Sequence, residues 1–258
     1  MDVCSLHRGT TPLLVSLPHD GTVLPDGFAA GMTPEARGVP DTDWFVSRLY
    51  DFARELGASV LVPRFSRYVV DLNRPPDDVS LYPGQNTTGL CPTRRFDGGP
   101  VYLPGREPTI GEVAERVQRY WQPYHQTLAD ELLRLKREHG RALLWEGHSI
   151  RSRVPFLFEG RLPDINLGTA DGATCRPGTQ QRLERVLARQ HDHPWVANGR
   201  FKGGYITRHY GQPARGVEAV QLELAQSTYM DESAGHYAPA RAAKLQPLLE
   251  ELLSAALG

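Results

Sequence analysis

The sequence predicts an α/β fold with a mixed, mainly parallel central sheet that is flanked by helices on both faces. Short apolar runs, which are typical of buried strands, alternate along the chain with longer segments of helical periodicity. Strands and helices that alternate in this way form mainly parallel sheets with helices on each side. The 258 residues are enough for a full core, and we find no internal repeat or interdomain linker. We therefore expect a single domain over residues 1–258.

The predicted strands follow from short apolar runs. The run 13–17 ends at Pro18, which is typical of a buried strand that leads into a loop. His148 is expected just past the end of its strand, and Glu223 late in the last one. The remaining strand predictions are 58–62, 68–72, 142–145 and 217–224.

The first predicted helix, at 43–56, has apolar residues at helical spacing and capping groups before it. Thr109 and Glu112 form a capping-box pattern that opens a long amphipathic helix, which should end near Gly140. Pro123 should kink that helix. Further helices are predicted at 180–190 and 240–257.

The segment 75–108 is rich in proline and glycine and is predicted to be a long surface excursion. Long excursions from compact domains are often functional. Covering a pocket is the role we expect for this one.

The composition argues against several classes of protein. Lysine and arginine (29) nearly balance aspartate and glutamate (30), and no local basic cluster is present. We therefore expect no nucleic-acid or membrane partner. No apolar run has the length of a membrane span, and the start of the chain lacks the features of a signal peptide. Three scattered cysteines do not form a disulfide framework, so we expect a cytoplasmic protein.

Two histidines are placed where a ligand site is expected. Ligands of open α/β sheets bind beyond the carboxyl ends of the strands, and His19 and His148 fall at or near predicted strand ends. Two imidazoles and one carboxylate are a common ligand set for catalytic zinc. Asp43 and Asp41 are the candidates for the carboxylate. The sequence leaves simpler roles open, namely a turn histidine and helix-capping aspartates.

Two glutamates could serve such a site. Glu223 lies between two leucines in a predicted strand, and a carboxylate buried beside a metal-activated water would suit general-base work. The pattern fits the solvated side of a half-exposed strand equally well. Glu146 precedes His148 by two residues, so a continuing strand would point both side chains the same way and let the acid orient the imidazole.

Several cationic side chains could hold an acidic substrate. Arg67 and Arg74 flank a short apolar run, and Asn73 lies beside the second arginine. Two guanidinium groups and an amide are suited to a carboxylate and a polarised carbonyl. Lys202 or Arg208 could hold a second carboxylate. All four cations could instead be ordinary surface or loop charges. Together these features predict a metal-assisted hydrolase that acts on a small acidic substrate.

Taken together, these segments resemble the N-formylglutamate amidohydrolases, also called N-formylglutamate deformylases. The resemblance covers most of the chain, and the order and number of the matching blocks make it specific. The blocks are PHDGT (18–22), DTDW (41–44), YVVDLNRP (68–75), GHS (147–149), NLGT (166–169), GGYITR (203–208) and QLEL (221–224).

The resemblance implies a zinc site. The family is similar to the zinc carboxypeptidase and aspartoacylase superfamily, which implies a zinc-exopeptidase-like sheet and one zinc ion held by two histidines and an acid. His19 and His148 would be two of the ligands. That superfamily usually has its acidic ligand three residues after the first histidine, where this chain has Thr22. We therefore expect Asp43, or alternatively Asp41, to be the third ligand.

The resemblance also implies a reaction, the hydrolysis of N-formyl-L-glutamate to formate and L-glutamate, as the last step of one route of histidine degradation. Glu223 would activate the water, Arg67 would stabilise the oxyanion, and Asn73 with Arg74 would bind one substrate carboxylate. Two alternatives remain. One is a zinc amidohydrolase of another N-acyl amino acid or small peptide, and the other is a non-catalytic protein that binds a small acid.

Overall fold

The computed structural model describes residues 2–81, 84 and 86–258. Within these residues, seven strands form one sheet in the order β1-β3-β2-β4-β7-β5-β6. Four of the six neighbouring pairs are parallel, and β1 with β3 and β5 with β7 are antiparallel. The predicted mixed, mainly parallel sheet is confirmed. Its strands are β1 (Cys4–His7), β2 (Leu13–Ser16), β3 (Ser59–Pro63), β4 (Ala142–Ile150), β5 (Ile165–Gly168), β6 (Trp195–Ala197) and β7 (Val217–Ala225).

Helices cover both faces of this sheet. Because side chains alternate along a strand, Leu13 and Val15 belong to one apolar cluster and Leu14 belongs to the other. The first cluster includes α1, α4 and α6, and the second includes α3 and α5. The helices are α1 (Val46–Leu49), α2 (Ile110–Arg116), α3 (Gln122–His139), α4 (Pro177–Arg189), α5 (Tyr205–Tyr210) and α6 (Pro239–Leu257), and a small hairpin pairs β8 (Met230–Asp231) with β9 (His236–Tyr237).

Two strand predictions were wrong. Residues 68–72 form successive turns, in which the Val69 N–H bonds to the carbonyl of Ser66. These apolar residues are buried inside the protein, and a buried loop has the same composition as a buried strand. β4 continues to Ile150, so His148 lies within the strand and not beyond it.

The helix prediction for 43–56 was also wrong in its extent. Phe45 adopts a left-handed conformation, with φ of 64°, immediately before α1. α1 then spans four residues, and a short 3₁₀ helix follows at Asp51–Arg54. The chain therefore turns two residues after Asp43 instead of continuing as one helix.

The long helix is confirmed with one modification. Thr109 and Glu112 form the predicted capping box at the start of α2. A π-helical segment, Val117–Trp121, joins α2 to α3 and ends two residues before Pro123, where the missing N–H of proline interrupts the regular hydrogen bonds. The predictions for 180–190 and 240–257 correspond to α4 and α6.

The described part of the 75–108 excursion contains no helix and no strand, only isolated bridges such as the one between Arg94 and Pro100. Among the described helices, none has both the length and the apolar character that crossing a bilayer requires.

Candidate metal centre and active site

Four polar side chains project from one face of the two central strands. β4 and β7 are paired in parallel register, with Glu146 opposite Gln221 and His148 opposite Glu223. Residues two apart on a strand point to the same face, so these four side chains lie together. His19 follows the end of β2, which is the other neighbour of β4. The site therefore lies near the carboxyl ends of parallel strands, as the sequence predicted.

Three buried side chains form a group that could hold a metal ion. The candidate ligand atoms of His19, Asp43 and His148 all lie within 4.8 Å of one another. Asp43 Oδ2 is 3.1 Å from His148 Nδ1 and 3.8 Å from His19 Nδ1. Two atoms bound to the same tetrahedral zinc are about 3.3 Å apart, which lies between these two distances. Two imidazoles and one carboxylate in this arrangement could hold a metal ion.

The other nitrogen of each imidazole is held by a carboxylate. His19 Nε2 donates to Asp71 Oδ1 at 2.7 Å, and His148 Nε2 donates to Glu146 Oε1 at 2.9 Å. Such bonds fix the ring orientation and leave Nδ1 as the nitrogen that faces a metal. Glu146 also accepts a hydrogen bond from the hydroxyl of Thr207. The prediction that Glu146 and His148 point the same way is confirmed.

Charge and burial set the ionisation of this group. Burial and the neighbouring Arg67 lower the pKa of His19, which favours the neutral imidazole that a metal requires. Burial opposes ionisation of Asp71, but His19 and Arg67 outweigh it and hold the pKa of Asp71 well below its usual value. Burial lowers the pKa of His148, because it disfavours the charged imidazole. The hydrogen bonds to Asp43 and Glu146 outweigh burial and raise the pKa of His148 well above the usual value. A metal ion would take the place of that proton.

The structure distinguishes between the two aspartates proposed as the third ligand. Asp41 Oδ2 accepts hydrogen bonds from the Tyr68 hydroxyl at 2.6 Å and from the Phe96 N–H at 2.9 Å. Asp43 is the aspartate in the candidate metal group, and its Oδ2 also accepts from the Ser149 N–H at 3.0 Å. The left-handed turn at Phe45 places Asp43 there instead of inside a helix.

Glu223 lines the same cleft, with 7% of its surface exposed. The pKa of its carboxyl is raised to about 8, mainly by burial. The nearby His148 charge lowers this pKa, and the Asp43 charge raises it further. A carboxyl with a pKa near neutrality can exchange a proton with water at physiological pH. The alternative interpretation of Glu223 as a solvated strand residue is therefore wrong.

The cleft has a volume of about 650 Å³, including its open mouth, and three arginines line it. Arg67 bonds to Asp71 Oδ2 at 2.6 Å, lies 3.7 Å from Asp43 Oδ1 and packs over the ring of Phe96. Arg74 Nε is buried with no hydrogen-bond partner among the described residues. The third arginine is Arg200. The site thus combines a metal-binding group, a basic carboxylate and cations for an acidic ligand.

A sequence model described as N-formylglutamate amidohydrolase matches residues 11–230. The chain belongs to this family. An N-formylglutamate deformylase from Pseudomonas aeruginosa is 56% identical, with 98% of this chain and 97% of the relative covered. One from Pseudomonas putida is 52% identical, with 99% and 96% covered.

Solved structures share the fold of this chain, and one of them is named for the same family. A crystal structure of an N-formylglutamate amidohydrolase from Ralstonia eutropha has a TM-score of 0.83 and 27% identity, with 99% of this chain and 97% of that chain covered. The gene product Atu2144 from Agrobacterium tumefaciens has a TM-score of 0.71 and 18% identity, with 98% and 96% covered, and shares the fold.

Two residues suggested as substrate contacts, Lys202 and Arg208, do not line the cleft. Lys202 pairs with Asp171 at 3.1 Å, and Arg208 Nε donates to the Gly203 carbonyl. Neither lies among the described residues that line the cleft, whereas Arg200 does. That Lys202 or Arg208 contacts the substrate stays a prediction. Lys202 lies in a loop, and loop residues have no periodicity that would indicate which cation faces inward.

Asn73 lines the cleft beside Arg74, but its amide already has neighbours in the protein. Its Oδ1 accepts from the Ile206 N–H at 2.9 Å, and its Nδ2 lies 3.0 Å from His148 Nε2. Gly204 permits this close packing, since a Cβ there would lie 2.3 Å from Asn73 Nδ2. The Ile206 N–H of α5 therefore fixes the Asn73 amide beside the metal-binding group.

Sequence analysis assigned no role to Asp71, although this residue joins His19 to Arg67. A signal was present, because Asp71 is an acid within an apolar run between two arginines. Gln221, which accepts from the Gly204 N–H at 2.7 Å, and Thr207 were also missed.

Proposed function

We propose that this protein hydrolyses N-formyl-L-glutamate to formate and L-glutamate in a metal-dependent reaction. The observation that carries the proposal is the position of Glu223 in one cleft with the His19, Asp43 and His148 group. The curated relatives, which are 52% and 56% identical over nearly their whole lengths, are named for this reaction.

His19, Asp43 and His148 would hold the metal, for which we propose zinc. Zinc supplies Lewis acidity, which lowers the pKa of water and polarises a carbonyl oxygen. Asp71 and Glu146 would hold the two imidazoles in the orientation that coordination requires.

Glu223 is the proposed general base. It takes a proton from the attacking water as the oxygen–carbon bond to the formyl carbon forms. It then delivers this proton to the amide nitrogen as the carbon–nitrogen bond breaks, which releases formate and the amine of glutamate. Its burial and its raised pKa, about 8, suit both steps.

Arg67 is the proposed donor to the oxyanion that develops on the formyl oxygen. Its guanidinium is already fixed by Asp71 and by Asp43, so it would not have to reorganise during the reaction. Arg74 would bind one substrate carboxylate, because its buried Nε has no partner among the described residues. Asn73 would complete this carboxylate site, and its bond from the Ile206 N–H fixes the amide beside Arg74.

A substrate panel with metal analysis tests the proposal. Purified protein would be assayed for release of the acyl group from N-formyl, N-acetyl and N-succinyl forms of glutamate and aspartate. We expect about one zinc per chain, preferred turnover of N-formylglutamate, loss of activity with a chelator and recovery with zinc. Preferred turnover of another acyl form would favour a different N-acyl amino acid as the substrate. Absence of turnover of every compound by zinc-loaded protein would contradict the proposal.

A further inference from the structure

Arg200 is a cation that lines the cleft and that the proposed mechanism does not use. Arg200 Nε donates to the carbonyl of Leu157, and Nη2 donates to the carbonyl of Asn86, each at 3.1 Å. Both acceptors belong to segments that line the cleft. The two bonds fix the plane of the guanidinium and hold its charge at a defined place on the cleft wall.

A hydroxyl that needs a partner lies two residues from Asn86. Thr88 is 8% exposed, lines the cleft, and its Oγ1 is buried with no hydrogen bond to any described residue. An unpaired buried hydroxyl is unfavourable, and such groups are uncommon unless a ligand or water satisfies them. The local backbone is well held, because Leu90 N–H bonds to Asp78 Oδ1 at 2.6 Å and the Leu90 carbonyl accepts from Asp71 N–H at 2.7 Å.

Buried polar atoms without partners are concentrated in this cleft. In the part of the chain that the structure describes there are four of them, and three belong to the cleft-lining residues Arg67, Arg74 and Thr88. All three groups can donate a hydrogen bond, so the ligand that satisfies them must present several acceptor oxygens. Two carboxylates and a carbonyl would do so.

The wall beside Arg200 also suits the carbon chain of such a ligand. Leu157 and Phe201 line this part of the cleft. Apolar side chains next to a fixed guanidinium match a short run of methylene groups that ends in a carboxylate.

We propose that Arg200 and Thr88 form a second anion subsite that binds the side-chain carboxylate of the substrate and selects acidic over neutral N-formyl amino acids. This subsite is separate from Arg74, which binds the other carboxylate. The inference rests on the proposed function and adds to it the residues that determine specificity.

The test compares N-formyl-L-glutamate with N-formyl-L-glutamine, which has the same shape but an uncharged side-chain end. Arg200→Met should raise KM for N-formylglutamate about tenfold to a hundredfold, as expected when a hydrogen-bonded charge loses its partner, and should change KM for N-formylglutamine little. Thr88→Val should act in the same direction with a smaller effect. Thr88→Ser keeps the hydroxyl and should behave like the unaltered protein.

Two control variants make the test specific. Thr93 is an exposed threonine of the same excursion and does not line the cleft, so Thr93→Val should leave the preference unchanged. Lys202→Met removes a nearby cation that pairs with Asp171 on the surface, and it too should keep the preference.

The outcomes separate this inference from the proposed function. If the unaltered protein does not hydrolyse N-formylglutamate, the proposed function fails. If it does, but Arg200→Met and Thr88→Val affect both substrates equally or neither, the subsite is overturned. Loss of the preference in Lys202→Met alone would also overturn it and would identify Lys202 as the selecting cation.

Discussion

Substitution of Glu223 by glutamine should abolish most of the activity and at the same time stabilise the metal-free protein at alkaline pH. Glutamine has nearly the same shape as glutamate but cannot accept the proton of the attacking water. General-base catalysis contributes about 10²–10⁴-fold, so kcat should fall by that factor, which corresponds to about 3–5 kcal/mol of activation free energy. The zinc content should be unchanged, because Glu223 is not in the His19, Asp43 and His148 group.

The stability effect follows from the raised pKa. The pKa of Glu223 is about 8 in the folded protein, whereas its ordinary value is 4.5. Between these values the folded state binds a proton that the unfolded state has lost, so the free energy of unfolding falls as pH rises through this window. A difference of three to four units, at about 1.4 kcal/mol each, gives an upper limit of about 5 kcal/mol lost by pH 8. Glu223→Gln removes this loss.

Two measurements on the same preparations check this reasoning. Turnover of N-formylglutamate and zinc content are measured on zinc-loaded protein. Unfolding by urea is measured on metal-free protein at pH 5 and at pH 8. The variant and the unaltered protein should have similar stability at pH 5, and the variant should be more stable at pH 8. Near-normal turnover would refute the general-base assignment, and equal stability at pH 8 would refute the buried-charge argument.

The other predictions concern the metal-binding group and the carboxylate site. Arg74→Met should raise KM for N-formylglutamate about tenfold or more with little change in kcat, measured by steady-state kinetics, and an equal loss in kcat would contradict a binding role. Asp71→Asn should weaken zinc binding about 10–100-fold in a chelator competition, since Asp71 orients His19 and fixes Arg67, and unchanged affinity would contradict that role. Asp43→Asn should lose stoichiometric zinc whereas Asp41→Asn should keep it, and the opposite pattern in metal analysis would reverse the ligand assignment.

Local pattern in the sequence determined much of the architecture. The capping box at Thr109 and Glu112 depends on residues three apart, and the structure confirms it. Alternation along a strand is equally local, and it placed Glu146 and His148 on one face before any packing was known. The placement of the candidate site at strand ends followed from the same reasoning, since parallel strands present their carboxyl ends at one edge.

Tertiary packing decided the features that do not follow from a repeating pattern of residues along the chain. Residues 68–72 are all buried, and four of the five are apolar, but a buried apolar run alone does not distinguish a loop from a strand. Asp41 and Asp43 are two residues apart, and the left-handed turn at Phe45 and long-range bonds to Tyr68 and Ser149 separate their roles.

The same holds for the cations of the cleft. Lys202 belongs to a segment that passes close to β5, where a Cβ on Gly168 would lie 2.8 Å from the Gly203 nitrogen. Lys202 pairs with Asp171 at the surface, while Arg200 lines the cleft. Sequence determined which chemical groups were available, because composition and spacing are properties of the chain. Only the folded chain decided which of them meet, because that depends on contacts between residues far apart in sequence.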